Sequence, residues 1–348
     1  MSRFEKSILG AFFVFILIFF LLPIETVNVP NDEDDWRQWI EKKGGKTSYE
    51  DFALSVEGLR EEEQHTRVHI FGGALYEEEG INAVGVCDSR FFYGCFHEFI
   101  GRATSDLGIS AASDLNEICR TTFSGSEKDA CQHGIGHGVQ VFYGYTPKDI
   151  GTSLGVCNEL GDNNILGGGC FGGIFMEYNL RTMLSDDGVV RDSDNIYSPC
   201  DELSDVFVPA CLYWQPQWWR VGPFLGFDVQ AIYEKMGDAC IQTEEVFSKG
   251  KYDVKPRRIC FEGIGGIIAP DTQFNTRRIE FLCDSSSDDE VDRLVCKSSA
   301  AYRTLDSPNP DSSQELCKGF TGAFLDYCNA YASANFVHIN EISSNLSI

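Results

Sequence analysis

Residues 113–139 read SDLNEICRTTFSGSEKDACQHGIGHGV, and this stretch contains the pattern that decides the fold. A short helix-like segment ends at Cys119, a polar loop follows, and Cys131 begins a glycine-rich segment. Ser113 and Asp114 suit the N-terminal end of a helix, because their side-chain oxygens can accept hydrogen bonds from its free N–H groups. The stretch therefore predicts two helices joined by a short loop, which a disulfide between the two cysteines would hold.

The same unit recurs along the chain. Its second helix is expected to begin at a cysteine followed by glycine or aromatic residues, namely at Cys95, Cys131, Cys170, Cys211, Cys260 and Cys317. An earlier cysteine ends the first helix, as in VQAIYEKMGDAC, which ends at Cys240. Two-helix repeats with a period of about 40 residues are typical of helical solenoids. The sequence thus predicts an all-α fold of disulfide-stapled two-helix repeats, forming an α/α toroid or an open solenoid.

The repeat also predicts the disulfides. A disulfide that closes a loop of about 15 residues stabilises the folded state by ~3 kcal/mol in the chain-entropy model. For the last four cysteines the repeat favours Cys296–Cys317 and Cys283–Cys328, since Cys317 resembles the start of a second helix. Pairing between sequence neighbours, Cys283–Cys296 and Cys317–Cys328, is the alternative. The other expected pairs each close one short loop: Cys87–Cys95, Cys119–Cys131, Cys157–Cys170, Cys200–Cys211 and Cys240–Cys260.

Glycine is frequent in the second helices, for example at Gly134, Gly136 and Gly138. Each glycine costs a helix ~1 kcal/mol relative to alanine, so an exposed helix would not favour them. They are favourable where two helices pack backbone against backbone, as in a crowded inner ring. A loop conformation of these glycine runs is the alternative.

The N-terminal residues indicate a membrane anchor. Arg3 and Lys6 precede an uncharged apolar run of a length that spans a bilayer as a helix, with the basic flank on the cytoplasmic side. A cleavable signal peptide is the alternative, but no small-residue cleavage site follows the run. The predicted parts are a cytoplasmic tip (1–6), a transmembrane signal-anchor (7–24), a juxtamembrane stalk (25–50), the extracytoplasmic repeat domain (51–340) and a tail (341–348).

Composition agrees with export and excludes one class of partner. The chain has 14 cysteines, and such an even, regularly spaced set belongs to an oxidising compartment because cytosolic thiols are kept reduced. With 53 acidic against 28 basic residues, the formal net charge is −25. Nucleic-acid binding is not expected, since it requires clustered Lys and Arg.

Five of the six histidines fall between residues 65 and 137. His65 and His69 are four residues apart, as are His133 and His137, and residues at this spacing share one face of a helix. Aligning the repeats on their opening cysteines places His97 at the same position as His133. In a toroid these positions would face one cavity.

This set of histidines predicts a transition-metal site. Imidazole is a common ligand of Zn, Cu and Fe, and we expect zinc first, with copper or iron as alternatives. Glu98 and Glu177 lie in the same register and are the candidates for a general base or a further ligand, and Glu262 occupies the position of His97 in a later repeat. The alternative is that the histidines are hydrogen-bonded core residues. No HExxH signature is present.

Two functions follow from these features. A metal-dependent enzyme is the first, with hydrolysis as its default reaction because zinc activates bound water, and oxidative chemistry as the variant for copper or iron. The second is a non-catalytic scaffold that binds a protein, peptide or glycan on a concave face. The aromatic run at residues 213–219 (YWQPQWW) could serve such a surface, or it could fill the core.

Overall fold

The computed structural model describes residues 30, 32–161, 167–184, 191, 194–305, 307, 309–335, 339 and 342–343. The predicted cytoplasmic tip (1–6) and signal-anchor (7–24) lie outside these residues. Among the helices that are described, none combines the length and the hydropathy needed to cross a bilayer.

The described residues form α-helices and short 3₁₀ helices, and they contain no strand. The 3₁₀ helices are Ile81–Val86, Arg90–Tyr93, Cys200–Glu202 and Pro310–Cys317. The α-helices are α1 (Glu33–Lys43), α2 (Gly45–Ser55), α3 (Glu61–Glu79), α4 (Gly94–Leu107), α5 (Ala111–Thr122), α6 (Gly125–Tyr143), α7 (Pro147–Glu159), α8 (Gly169–Leu184), α9 (Val208–Val221), α10 (Val229–Val246), α11 (Pro256–Asp271), α12 (Thr276–Ser286), α13 (Glu290–Thr304) and α14 (Gly322–Tyr331).

The second helices of the repeats pack one on the next in chain order, from α3 through α4, α6, α8, α9, α11 and α13 to α14. First helices such as α5, α7, α10 and α12 lie beside them. The second helices surround a cavity of about 1090 Å³. Phe92, which precedes α4, stacks on Phe274, which follows α11, with ring centroids 6.1 Å apart. The N-terminal and C-terminal parts of the domain therefore meet beside the cavity.

Local sequence explains where many helices begin. At α7 the Thr146 hydroxyl accepts a hydrogen bond from the Asp149 N–H, the Asp149 carboxylate accepts one from the Thr146 N–H, and Pro147 occupies the first turn. Asp228 caps α10 and Asn275 caps α12 through their side-chain oxygens. These caps satisfy N–H groups that have no partner within the helix.

The glycine-rich segments are helical, so the alternative loop conformation is wrong for α6 and α11. Their glycines permit close helix contacts. A Cβ atom at Gly136 would lie 2.0 Å from the carbonyl oxygen of Cys170, and one at Gly265 would lie 2.2 Å from that of Cys296. Any larger residue would force these helices apart, which confirms backbone-to-backbone packing.

Seven disulfides link the helices, and the five pairs that close the earlier loops are confirmed. The favoured pairing of the last four cysteines is wrong, because the structure has Cys283–Cys296 and Cys317–Cys328. Cys296 lies on α13 and packs against Gly265 as Cys170 packs against Gly136, so it belongs to a second helix. The serines and alanines that follow it replace the glycines that mark this position elsewhere.

The sequence predicts a stalk at residues 25–50, but the described residues of this range form packed helices. Residues 33–43 and 45–55 form α1 and α2, which pack on the rest of the domain. Trp36 of α1 is buried between Phe52 of α2 and Phe71 of α3, with centroid distances of 5.5 and 5.3 Å. These apolar residues bury one face of each helix, so the packed domain begins well before residue 51.

Candidate metal centre

The five histidines singled out in the sequence lie together. His65 and His69 are on α3, His97 is on α4, and His133 and His137 are on α6. The ring centroid of His97 lies 5.7 Å from both rings of the α3 pair, and 5.8 and 4.2 Å from those of His133 and His137. The two helical pairs thus converge on His97 instead of pointing to opposite sides of the domain.

Within each pair the Nε2 atoms face one another. They are 3.1 Å apart in His65 and His69 and 3.2 Å apart in His133 and His137. Two nitrogens bound to one zinc ion at ~2.0–2.1 Å with a near-tetrahedral angle lie about 3.3 Å apart. Each pair therefore presents two ligand atoms at a spacing suited to one metal ion.

The outer nitrogens of two of these rings have hydrogen-bond partners. The Nδ1 of His65 donates to the carbonyl oxygen of Phe91 at 2.7 Å, and a carbonyl can only accept, so the Nε2 of this neutral ring carries the lone pair. The Nδ1 of His137 is 2.8 Å from a carboxylate oxygen of Glu177. Partners of this kind fix the tautomer and the ring orientation of metal-binding histidines.

His97 completes two groups of three. The ligand atoms of His65, His69 and His97 all lie within 4.8 Å of one another, and so do those of His97, His133 and His137. His97 is buried, and among the described residues its Nε2 atom has no hydrogen-bond partner. Leaving a buried polar nitrogen without a partner costs free energy, and a bound cation would remove that cost. Either group could hold a metal ion.

Burial keeps three of these histidines neutral. It lowers the pKa of His65 to about 4, with a further contribution from the neighbouring His69. Burial and the adjacent histidines also lower the pKa of His97 and His133 well below the ordinary value. These three rings are therefore uncharged near neutral pH, which is the form that binds metals.

The backbone beside His65 is strained. Phe91, Phe92 and Tyr93 have φ angles of 56°, 52° and 64°, a left-handed conformation that is unfavourable for residues other than glycine. This turn brings the Phe91 carbonyl to His65 and places the Tyr93 ring 6.2 Å from that of His133. The strained turn therefore forms part of the wall around the cluster.

Glu177 and Glu98, the predicted carboxylates, both contact Nδ1 atoms. Glu177 accepts hydrogen bonds from His137 and from the Tyr145 hydroxyl, at 2.8 and 2.7 Å. Burial would raise the pKa of Glu177, but these hydrogen bonds hold it below its ordinary value. Glu98 lies 3.8 Å from the Nδ1 of His69 and accepts a hydrogen bond from Arg102, and both interactions lower its pKa. Both carboxylates thus lie behind the rings, on the side away from the facing Nε2 atoms.

One residue at the cluster was not predicted from the sequence. The sulfur of Met176, on α8, lies 3.3 Å from the Nε2 of His133. The only available signal was its place beside Glu177 in the segment CFGGIFMEY. A methionine in an apolar segment is normally expected to fill the core.

The chain matches no family model, no curated protein and no solved structure.

The cluster borders the cavity through His65, His133 and Met176. Four arginines line the same cavity, Arg60, Arg220, Arg258 and Arg303, together with the carboxylates Asp129, Glu262 and Asp271. Arginines thus outnumber carboxylates here, whereas acidic residues outnumber basic ones almost two to one in the whole chain. Arg220 pairs with Asp271 and Arg258 pairs with Glu262, so arginines exceed carboxylates by one in the lining of a strongly acidic protein.

Glu262 lies on the cavity wall at α11 and has other partners than the histidines. It accepts hydrogen bonds from Arg258 at 3.0 Å and from the Tyr331 hydroxyl at 2.6 Å. Its equivalence to His97 along the repeat does not bring it into the cluster, because α11 and α4 occupy different places around the cavity. The position within a repeat determines on which face of a helix a residue lies. It does not determine how far apart two repeats lie in the structure.

The aromatic run at residues 213–219 fills the interior. Trp218 and Trp219 are buried, and the indole N–H of Trp219 donates to the carbonyl oxygen of Ile196 at 2.6 Å. Trp214 lines the cavity, and its ring centroid lies 5.7 Å from that of His133. The run therefore packs beside the histidine cluster and in the core, and does not form an aromatic platform on the outer surface.

Proposed function

We propose that this chain is an exported, metal-dependent enzyme, folded as an α/α toroid whose central cavity receives a small substrate beside a histidine-bound transition metal. The observation that carries the proposal is the convergence of two facing Nε2 pairs on the buried His97. Core histidines that only fill space do not need neutral, mutually facing nitrogens with their outer nitrogens held by acceptors. Metal-binding histidines do.

Hydrolysis is the reaction that we propose first. A zinc ion at this position would lower the pKa of a bound water toward ~7 and supply hydroxide at neutral pH. The protein's part would be to hold the rings: Phe91 and Glu177 fix the outer nitrogens of His65 and His137. We therefore assign Glu177, and Glu98 beside His69, an orienting role in preference to the role of general base.

A specific observation favours a second candidate, an oxidoreductase. Thioether sulfur is a soft ligand that selects copper(I), and Met176 places one beside His133. The two candidates separate on metal content: zinc supports the hydrolase and copper supports the oxidoreductase.

The cavity suggests the charge of the substrate. Its lining has one more arginine than carboxylates, and we expect this excess of positive charge to favour a small anionic compound, since a cationic pocket raises the local concentration of anions. Anionic compounds should therefore raise the thermal midpoint of the metal-loaded protein more than uncharged analogues of the same size. Equal shifts for both would contradict this substrate class.

The proposed cellular location follows from the cysteines and the N-terminal sequence. Seven disulfides support an oxidising compartment outside the cytoplasm. We retain residues 7–24 as a single-pass anchor on the strength of their sequence. A binding partner on the outer surface, whether protein, peptide or glycan, belongs to the scaffold alternative, which the burial of Trp218 and Trp219 does not favour.

Elemental analysis tests the proposed function. The full-length protein, purified without chelators, is expected to carry at least one equivalent of zinc, copper or iron, and His133→Ala/His137→Ala should remove metal. Glu127→Ala, an exposed change on the same helix, is the matched control and should retain it. A wild-type protein that binds no transition metal, even after reloading, would overturn the proposal in favour of the scaffold.

A further inference from the structure

The cluster has room for more than one metal ion. One ion would take the nitrogens of a single helical pair, since each pair already has its Nε2 atoms about 3 Å apart. The two pairs lie on different helices, α3 and α6, and each forms its own group of three with His97. His97 is the residue the two groups share, and its ring, on releasing the N–H proton to solvent and becoming imidazolate, could offer one nitrogen to each of two ions.

The two positions differ in chemistry. Beside the α6 pair lies the sulfur of Met176, 3.3 Å from the Nε2 of His133. Taking ~2.0–2.1 Å for a metal–nitrogen and ~2.3 Å for a metal–sulfur bond, a nitrogen and a sulfur on one tetrahedral ion lie about 3.5 Å apart. The observed distance matches this spacing. Beside the α3 pair a carboxylate, that of Glu98, lies 3.8 Å from the outer nitrogen Nδ1 of His69, where it can orient that ring.

A methionine that only packs in the core would have its sulfur in a different position relative to the neighbouring ring. Methionine sulfur packed on an aromatic ring typically lies ~5 Å from it, often at the ring edge. Here the Met176 sulfur lies within hydrogen-bond distance of the Nε2 atom of His133. The same Nε2 atom also faces His137. The Nε2 of His133 therefore lies close to both further donors at the cavity wall, 3.2 Å from the Nε2 of His137 and 3.3 Å from the Met176 sulfur.

We infer that the cluster is an asymmetric two-metal centre, with a copper position formed by His133, His137 and Met176, a second transition-metal position formed by His65 and His69, and His97 shared between them. This inference rests on the proposed function and refines it, since it names the number of ions and a new ligand. Soft thioether sulfur selects copper(I), whereas imidazole with a nearby carboxylate suits zinc.

Metal titration of the full-length protein tests the inference. After metal removal, the protein is titrated with copper(I) in competition with a chromophoric copper(I) chelator, and separately with zinc(II). Wild type should bind two ions in total. Met176→Leu keeps the volume and removes the soft ligand, so copper(I) affinity should fall at least about tenfold while zinc affinity changes little. Met236→Leu, a buried methionine on α10 outside the cavity lining, is the matched control and should behave as wild type.

Two further variants separate the positions. His69→Ala should abolish the second equivalent and keep copper(I), and His137→Ala should abolish copper(I) and keep the second ion. A wild-type protein that saturates at one ion, or a Met176→Leu variant with unchanged copper(I) affinity, would overturn the two-metal inference and leave the proposed function standing. A protein that binds neither ion would overturn both.

Discussion

Gly173 and His133 are in such close contact that a Cβ atom at residue 173 would lie 1.9 Å from the carbonyl oxygen of His133. This contact sets the distance between α6, which carries two of the candidate ligands, and α8, which carries Met176 and Glu177. The glycines of this repeat therefore determine the geometry of the metal cluster as well as the packing of the helices.

Gly173→Ala tests that coupling. The added methyl should push α8 from α6 and destabilise the fold by about 1–3 kcal/mol, as overpacking of a core does. It should also weaken metal binding, since Glu177 and Met176 move with α8. Gly151→Ala on α7, where a Cβ would meet nothing within 4 Å, is the control and should be neutral or stabilising by ~0.5–1 kcal/mol. Chemical denaturation and metal titration measure both effects. Undiminished metal affinity in Gly173→Ala would show that the cluster does not depend on this contact.

Glu177→Gln separates an orienting role from a catalytic one. If Glu177 holds His137 through Nδ1, loss of its charge should lower metal affinity by about 10- to 100-fold, the usual effect of changing such a partner. If it acts as a general base, affinity should be retained and only turnover lost. Glu117→Gln, an exposed change on α5, is expected to alter neither. Competition titration with copper(I) and with zinc(II) gives the answer without a known substrate.

Removal of the metal should destabilise the protein. A ligand present at about 100 times its Kd stabilises the folded state by about 2.7 kcal/mol. In a chain of this size that corresponds to a fall of about 4 °C in Tm when a chelator is added. The Tm of His133→Ala/His137→Ala should be less sensitive to the chelator, because the α6 ligands are absent. A wild-type Tm that the chelator leaves unchanged would argue against a metal in the cluster.

The disulfides should contribute unequally to the site. Replacing both Cys119 and Cys131 by serine should cost ~2–5 kcal/mol and weaken metal binding, because Cys131 precedes His133 on α6 by two residues. Replacing Cys317 and Cys328 should cost stability while metal affinity changes little, since neither residue lies on a helix that carries one of the five clustered histidines. Peptide mapping without reduction should recover Cys283 with Cys296. Recovery of Cys296 with Cys317 would contradict the structure.

Membrane topology can be tested at both ends of the chain. A reporter fused after Ile348 should be active on the non-cytoplasmic side, because Arg3 and Lys6 precede the apolar run and the acidic residues follow it.

N-terminal sequencing should find residues 7–24 retained. A mature protein that begins near residue 25 would show a cleaved signal peptide, and cytoplasmic activity of the reporter would contradict export.

Much of the architecture could be predicted from local sequence. Cysteines at the ends of neighbouring helices imply five short-range disulfides, and the four-residue spacing of histidines implies that each pair shares a helix face. These predictions succeed because helix periodicity and short loops constrain residues that are close along the chain. The prediction failed for Cys296, where serine and alanine stand in place of the glycines that mark the other second helices.

The sequence by itself determined an all-helical, disulfide-linked repeat and the set of histidines that face one another. Only the tertiary structure decided that His97 lies between the two pairs, that Met176 joins His133 across 43 residues of sequence, and that Glu177 lies behind His137. The physical reason is that these contacts depend on the separation and crossing of neighbouring helices. Backbone contacts such as that of Gly173 with His133 set that separation, and no pattern within a single helix specifies it.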